Sequence, residues 1–151
     1  MKLDMQVDAK ELQAAFDRAP GVVNKESNNW IKRSAARTER RVKTVDIPVD
    51  QGPLQSSVRT YFGNMTATVK PNKEYALAVH EGTGVYGPKK RPITPKTKPF
   101  LAWKTKGGTW AYAKSVKGIK PNPYMDKAYK AVKPEVDRDA VRTLDLIVRS
   151  I

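Results

Sequence analysis

The sequence predicts an α+β fold in which an antiparallel sheet is flanked by N-terminal and C-terminal helices and carries a long Pro-, Gly- and Lys-rich loop. Three observations predict it. Apolar residues recur at helical spacing up to about residue 45, alternate one by one from about residue 52 to 116, and return to helical spacing near Pro123. With 151 residues, the chain is read as one domain: a helical part over 1–45, a sheet over 52–116 holding the loop 82–99, and a C-terminal helix over 123–151 kinked at Pro134.

Each element has a local reason. Asp8 with Glu11 three residues on resembles a capping box, and Leu12, Ala15 and Phe16 share a face; Pro20-Gly21 is expected to end this first helix. A second helix is predicted over 22–45, where Ile31, Ala35, Thr38, Val42 and Val45 form one stripe. Pro48 and Asp50-Gln51-Gly52-Pro53 should stop helix formation. Val58, Thr60 and Phe62, then Met65, Ala67 and Val69, alternate around Gly63-Asn64 as a hairpin would. Tyr75, Leu77 and Val79 continue the alternation and predict a further strand. Gly82 to Pro99 holds three Gly and four Pro and reads as a loop. A second hairpin is expected from 100–105 and 109–116 around Gly107-Gly108. Tyr124–Val132 is helical, and Val136, Ala140, Val141, Leu144, Ile147, Val148 and Ile151 continue an apolar face beyond Pro134. That last face is expected against a neighbouring subunit, the alternative being that it folds back on its own domain.

Composition narrows the function. No apolar run approaches the ~20 residues of a membrane span, and the first residues lack the apolar core of a secretory signal, so no membrane partner is expected. There is no cysteine, which removes disulfides, thiolate metal sites and cysteine nucleophiles. The formal net charge of +14 favours polyanions or an acidic protein face. It is concentrated in two places. Thirteen basic residues face one acid, Asp126, between Gly82 and Lys133. The predicted helix 22–43 holds Lys25, Lys32, Arg33, Arg37, Arg40, Arg41 and Lys43 against Glu26 and Glu39. Of these, Lys32, Arg33, Arg37, Arg40 and Arg41 are candidates to face DNA or an acidic partner.

Little points to catalysis. His80 is the only histidine, and no cysteine or carboxylate pair nearby completes a metal site with it. On a strand, His80 and Glu81 would point to opposite faces, against an acid–base pair. Gly82-Thr83-Gly84 precedes a Pro-rich loop rather than a helix, so it is not read as a phosphate loop. Glu135, Asp137 and Asp139 sit where a helix would start after Pro134, and there they suit its dipole. Trp103, Trp110 and Tyr112 are interleaved with Lys104, Lys106 and Lys114. That pattern fits either a stacking platform for single-stranded nucleic acid or core packing against the helices, and packing is the preferred reading. No enzyme activity and no cofactor are expected.

Three segments carry a family resemblance. Gln51-Gly52-Pro53-Leu54-Gln55-Ser56-Ser57-Val58 resembles a "TG-x-L-x-x-S-I" pattern leading to the first strand. Tyr75 to Gly84 resembles "YA-x-x-V-E-x-GT", with His80 at the acidic position and Glu81 one place later. Gly118 to Met125 resembles "P-x-P-F-(L/M)" before a closing helix. In this order they resemble the tailed-bacteriophage proteins named after the tenth gene product of phage HK97, which are neck, head–tail joining or tail-completion components. The resemblance implies a homo-oligomeric ring touching neighbouring connector and tail proteins, with room for contact with genome DNA. It implies a virion location after synthesis in the bacterial cytoplasm. Under it, Glu81, Gly82, Thr83, Gly84, Lys89, Lys90, Arg91, Lys96 and Lys98 form a stiff basic arm for a subunit interface. Five like charges there predict that a partner supplies the arm's order. The alternative function is a free basic nucleic-acid-binding protein using helix 22–43 and the loop.

Overall fold

A computed structural model describes residues 10–47 and 52–150, with the side chains of 10–13, 15 and 16 excepted. The Asp8 cap, the Leu12, Ala15 and Phe16 face, Pro48, Asp50, Gln51 and Ile151 lie outside that description. The chain is α+β, with long helices at both ends and antiparallel strands between them. Its elements are α1 (Lys10–Arg41), a π-helical turn (Val42–Asp46), α2 (Gly52–Ser57), β1 (Val58–Gly63), β2 (Thr66–Pro71), α3 (Ala76–Glu81), a 3₁₀ turn (Gly84–Tyr86), β3 (Leu101–Lys104), β4 (Trp110–Ala113) and α4 (Tyr124–Ser150). The strands form two separate two-stranded sheets, β1–β2 and β3–β4.

Contacts within the chain group into two units. The first comprises α1, residues 59–70 and residues 129–151. Here Ala35, Val132 and Ile147 are buried, and side-chain hydrogen bonds join α1 to α4. Trp30 Nε1 donates to the Val136 carbonyl at 3.3 Å. Arg33 donates to Asp139 and to Thr143 Oγ1, each at 3.1 Å. Thr143 is buried and satisfied, because it accepts from Arg33 and donates to the Asp139 carbonyl at 2.8 Å. The first hairpin is tied to α1 by Thr60 Oγ1, which donates to the Glu39 carboxylate.

The second unit comprises residues 42–58 and 71–128. Its buried side chains are Val42, Ile47, Leu54, Val58, Ala76, Val79, Tyr124 and Ala128. Gln55 Nε2 donates to the Lys43 carbonyl and joins α2 to the π turn. In β3–β4, Leu101 opposes Ala113 and Lys104 opposes Trp110.

Several expectations are corrected. Pro20-Gly21 does not end a helix: α1 runs through Pro20. Pro20 is exposed, so water can hydrate the carbonyl left without its helical donor. α4 likewise runs as one helix through the exposed Pro134, where the sequence predicts a kink. The stripe of α1 stops at Val42. In the π turn the Ile47 N–H donates to the Val42 carbonyl at 3.2 Å, which buries Ile47 and leaves Val45 exposed. Gly52-Pro53 starts a short helix rather than only stopping one, since Pro fits a first helical turn.

The largest correction is at 75–80. The predicted strand is helix α3, and its buried residues are Ala76 and Val79, three apart, while Leu77 is exposed. The apolar pattern there fits both periods. Two alanines and a leucine favour the helix.

Candidate functional site

The segments Tyr75–Gly84 and Gly118–Met125 meet in the second unit and are held together by hydrogen bonds. The Asn122 N–H donates to the Val79 carbonyl at 3.0 Å and so satisfies a carbonyl near the end of α3. The Thr83 N–H donates to the Ile119 carbonyl at 2.9 Å, and Thr83 Oγ1 accepts from the Ile119 N–H at 3.0 Å. The Val85 N–H donates to the Lys117 carbonyl at 2.8 Å. Two backbones lie this close because glycines face them. Gly84 (φ +63°) and Gly118 (φ +88°) both occupy the left-handed region. A Cβ on Gly84 would strike the Lys117 carbonyl, and one on Gly118 would strike the Thr83 carbonyl.

At the root of this crossing, His80 and Tyr124 stack edge to face, with centroids 5.5 Å apart. Tyr124 is almost fully enclosed, and its hydroxyl donates to the Ala76 carbonyl at 3.4 Å. Burial raises the Tyr124 pKa above 10.0, and the neighbouring Tyr75 adds to the rise. His80 Nε2 lies 3.7 Å from Asp126 Oδ2, within ion-pair range but too long for a hydrogen bond. Both residues line a cleft of about 430 Å³ with Lys73, Glu74, Leu77 and Tyr124.

Sequence reasoning missed Asp126 as the titratable neighbour of His80. The two are far apart in sequence, and reading 75–80 as a strand removed the geometry that joins them. Among the described residues, no three His, Cys, Asp or Glu side chains are grouped to hold a metal ion. No described helix is long and apolar enough to cross a membrane.

The arm residues are placed as follows. Glu81 ends α3 and is exposed; Gly82 is buried against Pro121 and Ile119; Thr83 and Gly84 are in the crossing. Lys89, Lys90, Arg91, Lys96 and Lys98 are exposed. The loop is fastened at Thr83, at Val85 and again where Ile93 pairs with Val116 at 2.8 and 3.0 Å. At those points the loop is held by its own chain.

The basic residues of α1 divide differently. Arg33 and Arg37 are engaged by α4: Arg33 with Asp139, and Arg37 with Glu135 at 3.1 Å and Asp139 at 3.9 Å. Lys32 and Arg40 are exposed, and Arg41 is half-buried. Glu135, Asp137 and Asp139 are therefore not at a helix start. They lie within α4, where Asp137 pairs with Lys133 at 2.6 Å and the other two pair with α1.

No protein-family model, curated protein or solved structure matches this chain.

Proposed function

We propose that the chain is a structural virion protein of a tailed phage, assembling as a ring subunit at the neck, head–tail joint or tail-completion position. It would be made in the host cytoplasm and perform no reaction. The observation that carries this reading is the outer face of α4. Val141, Leu144 and Val148 are 59, 61 and 73% exposed, at helical spacing, while Thr143 and Ile147 on another face are buried. The helix thus folds back on its own chain with one face and keeps a second apolar stripe for another surface. Ordered packing of Tyr75–Gly84 on Gly118–Met125 adds support, since these are two of the segments that carry the family resemblance. Gly82, Gly84, Gly118 and Tyr124 serve close packing there, which suits a rigid root for the exposed arm Lys89–Lys98.

The free nucleic-acid binder using α1 has less support, because Arg33 and Arg37 already face Asp139 and Glu135. Native electrophoresis and negative-stain imaging test the proposal. The full chain is expected to form rings, and the Leu144→Asp, Val148→Asp double variant is expected to stay folded by circular dichroism but run as a monomer. A wild-type chain that remains monomeric at high concentration sinks the reading.

A further inference from the structure

The packing expected for Trp110 and Tyr112 is absent. They are 56 and 65% exposed. In the β3–β4 register, Lys104 opposes Trp110 and Ala102 opposes Tyr112. Directly paired residues, and residues two apart on one strand, share a face. Ala102, Lys104, Trp110 and Tyr112 therefore form one face of the hairpin, and all four are exposed. On the other face Leu101, Ala111 and Ala113 are partly covered, while Trp103 is exposed. Lys104 Nζ stands 6.0 Å from the Trp110 ring centroid, at the edge of cation–π range. The turn is closed by the Gly108 N–H donating to the Thr105 carbonyl and the Thr105 N–H donating to the Thr109 carbonyl, both at 2.9 Å.

We propose that this outer hairpin face binds single-stranded nucleic acid, with Trp110 and Tyr112 each stacking a base and Lys104 and Lys114 meeting the backbone phosphates. The rings project from positions two apart on β4, so they are spaced roughly 7 Å from each other. That gap lets separate bases lie on separate rings. Charge selects the occupant. Between Gly82 and Met125 the chain has ten basic residues and no acid. Lysine is depleted at the centres of protein interfaces, whereas lysines interleaved with exposed aromatics are the make-up of a single-strand groove. A duplex hides its base faces in its own stack, so only its phosphates could be used here. The inference does not depend on ring assembly, because it concerns a different surface.

The test is fluorescence anisotropy of the full chain with a labelled oligothymidylate of about 12 nucleotides, a length within the usual site size, at several salt concentrations. Trp110→Ala and Tyr112→Ala are each expected to weaken binding about tenfold, and Trp110→Phe to keep most of the affinity. Lys104→Gln is expected to lower the salt slope by about 0.7, one phosphate's worth on a single strand. A duplex of equal length is expected to bind more weakly and to ignore Trp110→Ala. Unchanged oligothymidylate affinity in both alanine variants overturns the proposal. So does equal loss for duplex and single strand, which would mean that the rings act without stacking on exposed bases. Binding to phosphatidylserine vesicles but not to the oligonucleotide, with the same dependence on Trp110, would assign the face to a lipid surface and also overturn it.

Discussion

Tyr124 shows how one side chain links packing to pH. It opens α4, is enclosed by its unit, and holds the Ala76 carbonyl of α3 through its hydroxyl. Burial, then Tyr75, raises its pKa above the ordinary 10.0. The folded state thus favours the neutral phenol. Its contribution is fully present below pH 10 and is lost as pH rises through the higher folded-state value. Urea unfolding of wild type and Tyr124→Phe at neutral pH and above pH 10 checks this. The wild type should lose more stability than the variant over that interval, and parallel losses would show that Tyr124 carries no linkage. The Tyr124–His80–Asp126 grouping was only partly legible beforehand. His80 stood out as the sole histidine and Tyr124 as the start of a helix. Their contact depends on α3 being helical and on the chain returning through Asn122, neither of which a local pattern contains.

Two kinds of element tested the local rules. The hairpins followed them. Alternation with a Gly-Asn or Gly-Gly turn permits little else, and β1–β2 and β3–β4 formed where expected. Prolines and short apolar runs did not. A proline inside a helix costs about 3 kcal/mol relative to alanine, yet α1 and α4 run through Pro20 and Pro134, and for α4 the packing on either side outweighs that cost. For α4, Val132 before Pro134 and Ile147 after it are both buried, and the ion pairs of Glu135 and Asp139 with α1 hold the intervening turn. Pro134→Ala is therefore expected to stabilise the chain by about 1–3 kcal/mol, read as a higher urea midpoint. A lower midpoint would mean that the proline's own geometry is needed to seat Val132 and Ile147 together.

For the whole molecule the dominant quantity is charge. A net +14 on 151 residues places like charges close together in the folded state and farther apart in the unfolded one. Salt also weakens the ion pairs of Arg33 and Arg37. Partly exposed pairs of that kind are worth about 0–1 kcal/mol each, so screening the general repulsion should win. Sodium chloride raised from about 10 mM to about 150 mM, which shortens the screening length from ~30 to ~8 Å, is expected to raise the melting temperature by a few degrees. A fall would show that specific ion pairs outweigh the net field. The same excess charge is unevenly used. Arg33 and Arg37 are matched inside the first unit, whereas the stretch 82–125 has no acid of its own and keeps its attraction for an anionic partner.

The class of the fold, the two hairpins, the α4 segment and the location of the charge were all readable from residue order, because each depends on interactions within a few positions: period, turn chemistry and composition. Tertiary contact decided the rest. Whether 75–80 became strand or helix turned on which apolar residues found cover, and Ala76 and Val79 did. Whether Arg33 faced a partner turned on where Asp139 came to lie. Whether Trp110 and Tyr112 entered a core turned on what covers the hairpin, and their face of β3–β4 is bare. Alternation predicts that a strand has two faces; it contains no information on which of them another part of the chain will bury.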